Sequence, residues 1–426
     1  ENVKRMHILL VHQYFLEKDD PGGSRFNEMT RVWAENGHRV TVISGMVHYA
    51  TGRKRDKHRG KFIVREAYDT NITVYRCHVS EAYNANFLGR MWAYFSFVFS
   101  SVWAGVFRAT GGCHVVLVTS PPLFVGITGY VLSRWKRVPL VFEIRDLWPE
   151  SAIDTGVLTN PAIIRFAYWF EKFIYRKSRR INCLTPAFRA KLIENKNVPA
   201  EKTLMIPNAA DFSLSESLLN SFDAVAFRRE LGWENDFVVT YVGAHGVANH
   251  LAQLVDAADL LRHTNVRVVL IGDGMQKPYL VAETKRRGLA NVQFVDSVPK
   301  KEVFKYILAS DLGASVLKRN DTFKTVYSNK TFDYMSCRKP ILMAIDGVSR
   351  QLVADARCGE YAEPENAADI AAKIRLYLEN PQKCAADGLN GYRYARQHFD
   401  RTHLAKEYLK ELSLIQNAEF RIQSRH

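Results

Sequence analysis

The sequence lacks the residue spacings that several large enzyme classes need. Its six cysteines (Cys77, Cys113, Cys183, Cys337, Cys358 and Cys384) are each more than twenty residues from the next. No CxxC and no disulfide framework can be drawn, which points to a reducing compartment with thiols as packing residues. His-x-x-x-His and Asp-x-Asp are also absent. That argues against a zinc hydrolase and against a metal-chelating sugar-nucleotide site. No basic, apolar, small-residue leader precedes the first strand-like run, Met6 to Val11, so a cytoplasmic protein is expected.

Acidic residues are scarce in one half only. Up to Ala210 there are 30 basic and 17 acidic residues, and from Asp211 onward 29 and 27, so most of the net +15 lies in the first half. A basic half joined to a neutral one implies an anionic partner for one domain: a membrane surface, nucleic acid or an acidic ligand. With 47% hydrophobic and 24% charged residues the chain is globular and not disordered, and 426 residues suggest two or three domains.

Charge is missing altogether from residues 91–107 (MWAYFSFVFSSVWAGVF), which Arg90 and Arg108 flank. Seventeen residues sit at the lower limit for crossing a bilayer. Three serines among many aromatics suit an interfacial helix better, and a helix buried against a sheet is the competing reading.

Elsewhere short β-branched runs alternate with amphipathic stretches. Residues 6–11, 39–44, 72–76, 114–119, 139–143 and 181–184 read as strands in the first half. Residues 237–243, 266–272, 291–295, 311–317 and 340–345 do so in the second. Near-continuous apolar strands separated by helices are the pattern of parallel α/β sheets buried on both faces. The pattern restarts after Ile206-Pro207-Asn208, which divides the chain into 1–206 and 207–394. A last helical stretch, from Tyr392 to Ile415, has no strand after it. Residues 395–426 are therefore expected to return to the first domain.

Ligands of open α/β sheets bind where strands end and helices begin. Four loops fit that place in the sequence. Gly22 and Gly23 precede Ser24-Arg25 after the first strand, and Gly243-Ala244-His245-Gly246 holds the same place in the second half. Glycine allows a ligand close to the backbone, and His245 has a hydrogen to donate to phosphate. Gly272-Asp273-Gly274 forms a third turn. The fourth, Ser328-Asn329-Lys330-Thr331-Phe332-Asp333, opens a helix. Ser328 is a fit N-cap, the N–H groups of Asn329 and Lys330 can face a pyrophosphate, and Asp333 can accept from a ribose diol. Taken singly, each loop also reads as an ordinary turn or solvated helix start. In the first half Glu143, Arg145 and Asp146 crowd the end of a buried strand, either lining a cleft or forming an ion-pair network that fixes the loop.

Together PGGSR (21–25), RDLWPES (145–151), Ile206-Pro207-Asn208, Gly272-Asp273-Gly274, SNKTFDYM (328–335) and Lys339-Pro340-Ile341-Leu342 resemble the GT-B glycosyltransferases of family 4, retaining enzymes that use nucleotide sugars. RDLWPES, the loop with Tyr49 and the aromatic stretch look most like the branch that builds bacterial O-antigen and capsule, with N-acetyl-fucosamine transferases the nearest kind. The resemblance implies an α/β fold of two Rossmann-like parallel-sheet domains facing a cleft, no required metal and no cofactor beyond the UDP-sugar substrate. It places the donor on the second domain and the acceptor, a polyprenyl-diphosphate-linked glycan, on the first. Gly22, Gly23, Arg25, Gly243, His245, Gly246, Gly272, Asp273, Gly274, Ser328, Asn329, Lys330 and Asp333 would hold the donor. Asp146, then Glu143 and Arg145, would orient the acceptor.

Two departures stand out. Asp333 matches the second acid of the family's Glu-x7-Glu pair, but Thr325 stands where the first belongs, which fits a deoxy sugar with fewer hydroxyls to hold. His245, Asn249 and His250 replace the usual Arg and Lys that clamp the pyrophosphate, so Lys330 is expected to carry more of that charge. Two rival functions are a UDP-sugar 2-epimerase on the same fold and a nucleic-acid binder. The second is disfavoured because the aromatics lie in one apolar helix and not on a stacking platform. The basic run from Arg53 to Arg65, which precedes that helix in the same domain, instead suggests an anionic membrane surface, the inner leaflet of a bacterial plasma membrane.

Overall fold

The computed structural model describes residues 5–18, 20, 25–48, 52–82, 87–154, 156 and 158–423. Gly22, Gly23, Ser24 and Tyr49 lie outside them. The chain divides into two compact units, Glu1–Pro207 with Thr402–His426, and Asn208–Arg401.

The first unit is built on a sheet of eight strands among the described residues: β1 (His7–Val11), β2 (Arg39–Gly45), β3 (Ile63–Asp69), β4 (Ile72–Cys77), β5 (Val115–Ser120), β6 (Leu140–Ile144), β7 (Arg180–Cys183) and β8 (Thr203–Met205). Their order is β3-β4-β2-β1-β5-β6-β7-β8, and all pairs are parallel except β3 with β4. The central strands are wholly buried, as their unbroken apolar runs require. β3 departs from that pattern. Its IVREAYD alternates half-buried and exposed residues at the sheet edge, so it carries no continuous apolar signal.

The second unit repeats the plan with β9 (Phe237–Val242), β10 (Val266–Ile271), β11 (Val292–Val295), β12 (Leu312–Val316), β13 (Ile341–Ala344) and β14 (Gly359–Tyr361), in the order β11-β10-β9-β12-β13-β14. Every described pair is parallel. Strand order reverses direction between β1 and β5 in one unit and between β9 and β12 in the other, which marks the ligand-binding end of each sheet.

The expected helix over 392–415 is two. Pro381–His398 stops at Phe399 and Arg401–Gln423 begins two residues later. The break is held by pairing: the Ala210 N–H donates to the Phe399 carbonyl at 2.8 Å, and Asp400 bridges Ala210. Phe399 packs on Phe332 and Tyr327. The final helix belongs to the first unit, where the Trp33 indole N–H donates to the Ala405 carbonyl at 2.8 Å and Trp33 meets Tyr408 edge-on.

Residues 91–107 fall in a helix, Phe87–Trp103, followed by a wide turn, Ala104–Arg108. One face is buried against the fold and the other exposes aromatic side chains. Phe97, Ser100, Ser101 and Ala104 are buried, with the Ser100 hydroxyl donating to the His78 carbonyl at 2.6 Å and Ser101 bonded to Thr128. Trp92 and Phe99 are more than half exposed. Among the described residues, no helix is long and apolar enough to cross a membrane.

Candidate active site

In the second unit the loops after β9 and β10 lie on one another. Gly243 has φ +136° and Gly272 φ +138°, and a Cβ on Gly272 would come within 1.9 Å of the Gly243 carbonyl oxygen. Only glycine fits there. The His245 N–H donates to the Asp273 carbonyl at 2.8 Å, and a Cβ on Gly274 would strike the His245 backbone at 2.6 Å. Asp273 turns its carboxylate onto the Gly274 N–H. The structure thus brings Gly243, His245, Gly246, Gly272, Asp273 and Gly274 into one patch of backbone.

His245 contributes differently from expectation. Its ring is buried between Tyr241 and Phe294, burial lowers its pKa, and neither ring nitrogen has a hydrogen-bond partner among the described residues. Asn249 and His250 are engaged as well: the Asn249 amide oxygen accepts from the Gly246 N–H, and His250 faces Glu365 at 3.7 Å.

The helix Asn329–Ser336 starts where expected, after β12. Ser328 has the extended backbone of an N-cap, yet its hydroxyl makes no cap bond; its carbonyl accepts from the Thr331 N–H at 3.0 Å. The Asn329 side chain accepts from Asn208 at 2.7 Å. Lys330 lays its stem along Gly243, with Cε 3.3 Å from where a Cβ would stand, and holds its ammonium 4.7 Å over the Tyr241 ring. Burial brings the Lys330 pKa down to about 8, partly opposed by Asp333. Burial pushes Asp333 up to about 6, with Asp211 adding to the rise and Lys300 and Lys330 opposing it. Among the described residues neither Lys330 nor Asp333 is tied into an ion pair.

Behind them the Lys300 ammonium and Asp211 carboxylate pair at 2.9 Å. Asn208 and Tyr241 lie against Asn329 and Lys330, and the Asp211–Lys300 pair carries no local sequence signal, its members being 89 positions apart. Thr325, in the short turn Thr322–Thr325, is buried and donates its hydroxyl to the Thr322 carbonyl at 2.7 Å.

The helix is fastened to the sheet by Tyr334. Its hydroxyl accepts from the Val242 N–H at 3.2 Å and faces the Ala314 and Thr240 carbonyls at 3.0 and 3.2 Å. Gly313 leaves the room, since a Cβ there would lie 2.4 Å from the Tyr334 ring.

In the first unit, the residues expected to meet ligands divide. Glu143, at the end of β6, is fully buried and takes both Arg25 Nε and Nη2 at 3.1 Å. Asn182 donates to it at 2.9 Å, and Arg25 also donates to the Ile206 carbonyl at 2.5 Å and to that of Pro207. This corrects the expectation for both residues. Arg25 and Glu143 neutralise each other and lock the first helix to β6, β7 and the chain at Ile206–Pro207.

Arg145 and Asp146 stay half-buried at the strand end. Burial raises the Asp146 pKa, with Ser151, the Leu147 backbone and Arg145 opposing it. Arg145 Nη1 stands 3.5 Å from Nε2 of His12, a buried residue just after β1 whose pKa burial holds well down. His12 was not among the residues singled out from sequence. Its signal is position: it follows the strand at which the sheet order reverses.

Two parallel-sheet α/β units, each with its site-forming loops at the carboxyl ends of the strands, define the class of GT-B glycosyltransferases. Residues 22–209 match the glycosyl transferase 4-like domain and residues 224–394 the glycosyl transferases group 1 family. The chain belongs to the family 4 glycosyltransferases and is a transferase. It is 22% identical over 406 residues to a protein of Escherichia coli (strain K12) described as a colanic acid biosynthesis glycosyl transferase, WcaI, covering 92% of this chain and 95% of that one. Among solved structures it resembles Anabaena Alr3699/HepE in complex with UDP-glucose, at 22% identity and a TM-score of 0.70, over 96% of this chain and 100% of that one. It also resembles WaaG, a glycosyltransferase involved in lipopolysaccharide biosynthesis, at 16% identity and a TM-score of 0.67, over 96% and 99%.

Proposed function

We propose that the protein transfers a sugar from a UDP-sugar to a polyprenyl-diphosphate-linked glycan in the synthesis of a bacterial surface polysaccharide, O-antigen or capsule, with retention of configuration. The observation that carries this is Lys330 and Asp333, both perturbed by burial and in no ion pair among the described residues, beside the Gly243 and Gly272 backbone. A diphosphate gains negative charge as the glycosidic bond breaks. Lys330 and the N–H groups at the start of its helix stabilise that charge from fixed positions. Asp333 accepts from the ribose diol. No metal is needed where Lys330 supplies the cation, and no cofactor takes part. The acceptor hydroxyl attacks from the leaving-group face and its proton passes to the departing phosphate, while Asp146 and Arg145 orient the acceptor.

The relative described in colanic acid biosynthesis and the neighbour with UDP-glucose bound agree with this substrate class. Thr325, in place of an acid that would grip sugar hydroxyls, favours an N-acetylated deoxyhexose donor. The exposed aromatic face of Phe87–Trp103 favours a peripheral place on the inner face of the plasma membrane, where such an acceptor is found. The test is a panel of UDP-sugars offered with a synthetic polyprenyl-diphosphate-sugar and read by mass. One donor should extend the acceptor by one sugar. Epimer formation from a UDP-sugar alone, with no acceptor extended, would overturn the reading.

A further inference from the structure

At the end of the first sheet where its strands begin, away from His12 and Arg145, two helices finish together. Val125–Lys136 supplies Arg134 and is followed by Arg137; Pro161–Lys177 supplies Arg176 and Lys177. Arg179 and Arg180 lead into β7, and Lys202 stands before β8. These seven cations line a cleft of about 890 Å³ in which Glu201 is the one acid among the described residues.

The plain explanation is that they satisfy helix ends, and Lys202 does, donating to the Tyr175 and Arg176 carbonyls at 2.8 Å. It does not suffice: two helix C-termini offer about one negative charge together and Glu201 one more, leaving an excess of about four even with Arg179 set aside as engaged elsewhere. Lys202 registers that excess, since burial and then Arg179 and Arg180 hold its pKa below the usual lysine range.

A second observation narrows the ligand. The same two helices expose Trp135 (64%) and Trp169 (60%), and Trp169 stacks on Phe173, over which Lys177 lies. Phe95 and Phe166 both stack on Phe124, which joins this surface to the exposed face of Phe87–Trp103. A soluble anion needs the cations but not the tryptophans, whereas the boundary between headgroups and acyl chains uses both.

The basic run from Arg53 to Arg65 is the weaker candidate. Arg55 and Lys57 are paired with Glu17, Arg55 also with Asp20, and Arg59 with Asp56. Its own acids cancel much of its charge.

We propose that this seven-cation cleft binds the phosphates of anionic lipid headgroups and seats the aromatic helix faces on the bilayer. The inference rests on the membrane-peripheral reading above and adds where, and by which chemistry, the protein is held. The test compares the wild type with Arg134→Glu/Arg137→Glu/Arg176→Glu and, as control, Arg53→Glu/Arg59→Glu/Lys61→Glu, using phosphatidylcholine vesicles with and without phosphatidylglycerol. The cleft variant should lose about a hundredfold in affinity for the anionic vesicles, while the control stays within a few-fold. Wild-type binding should also weaken with added salt, a result that needs no variant to fold.

Equal vesicle binding by wild type and cleft variant overturns the proposal. So does pyrophosphate or single-stranded RNA bound through these residues by a protein that ignores vesicles. Sugar transfer to a soluble acceptor is measured beside it. Transfer without vesicle binding would sink the lipid site alone, and cleft-dependent vesicle binding without any transfer would sink the proposed reaction alone.

Discussion

Each unit carries a cation and a carboxylate near the carboxyl ends of its strands, and the two pairs have opposite fates. Arg25 and Glu143 meet at 3.1 Å, with the Ile206 carbonyl accepting from the one and the Asn182 amide donating to the other. Lys330 and Asp333 are a turn apart on one helix, in no ion pair among the described residues, with their pKa values drawn toward each other to about 8 and about 6. A buried pair that is already neutral is architecture, because removing one member strands the other. Charges kept apart at a desolvation cost await a ligand that makes good the loss.

The largest effect that would break this contrast is on stability. Glu143→Ala should destabilise the first unit by about 3–5 kcal/mol, since it leaves the Arg25 guanidinium buried without a counter-charge. Lys330→Met should leave the melting temperature unchanged or raise it, because it removes a charge held at a cost. A thermal melt of each variant that ranked them the other way would dissolve the distinction.

The next effect is on turnover. Lys330→Ala and Asp333→Ala should each lower transfer by at least about tenfold, the worth of one charged hydrogen bond. Steady-state rates near wild type in both variants would remove this site from the chemistry.

A third prediction sharpens the comparison through pH. Lys330 binds the diphosphate when charged, so UDP affinity should fall as pH rises through about 8. Asp333 holds the ribose when ionised, so affinity should also fall as pH drops through about 6. Folding responds with the reverse sign: a lysine lowered by burial costs stability below its folded pKa, and that cost fades as pH rises past it. Calorimetry across this range should give a bell for UDP with proton uptake near its alkaline side, and a flat profile would refute it.

The smallest effect concerns His245. Its ring is core, so His245→Phe should change UDP affinity by no more than about twofold while the loop keeps its backbone. A tenfold loss, measured by the same titration, would return the imidazole to the phosphate.

What was legible in the sequence follows from distance along the chain. HVVLVT and VRVVLIG announce buried parallel strands because burial on both faces leaves few polar positions. β3 was missed because an antiparallel edge strand alternates, and β8 and β14 because three residues carry no pattern. Lys330 and Asp333 could be found because a helix start and a one-turn spacing are local. The engagement of Arg25 by Glu143, 118 positions away, could not, so three ionisable groups around the end of β6 read alike although one is spent. Nor could sequence order tell that Arg55 and Lys57 are answered by Glu17 while the cations ending two later helices gather in one cleft.

The Tyr334 clamp gives the donor site an unusual address for tuning. Lys330 and Asp333 ride on a helix whose height above the sheet is set by one phenol hydroxyl against β9 and β12 and by the missing side chain of Gly313. A methyl group added at Gly313, under the Tyr334 ring, would lift both charged groups together. Variants with altered donor preference should therefore turn up in the middle of the sheet as readily as on the wall of the pocket.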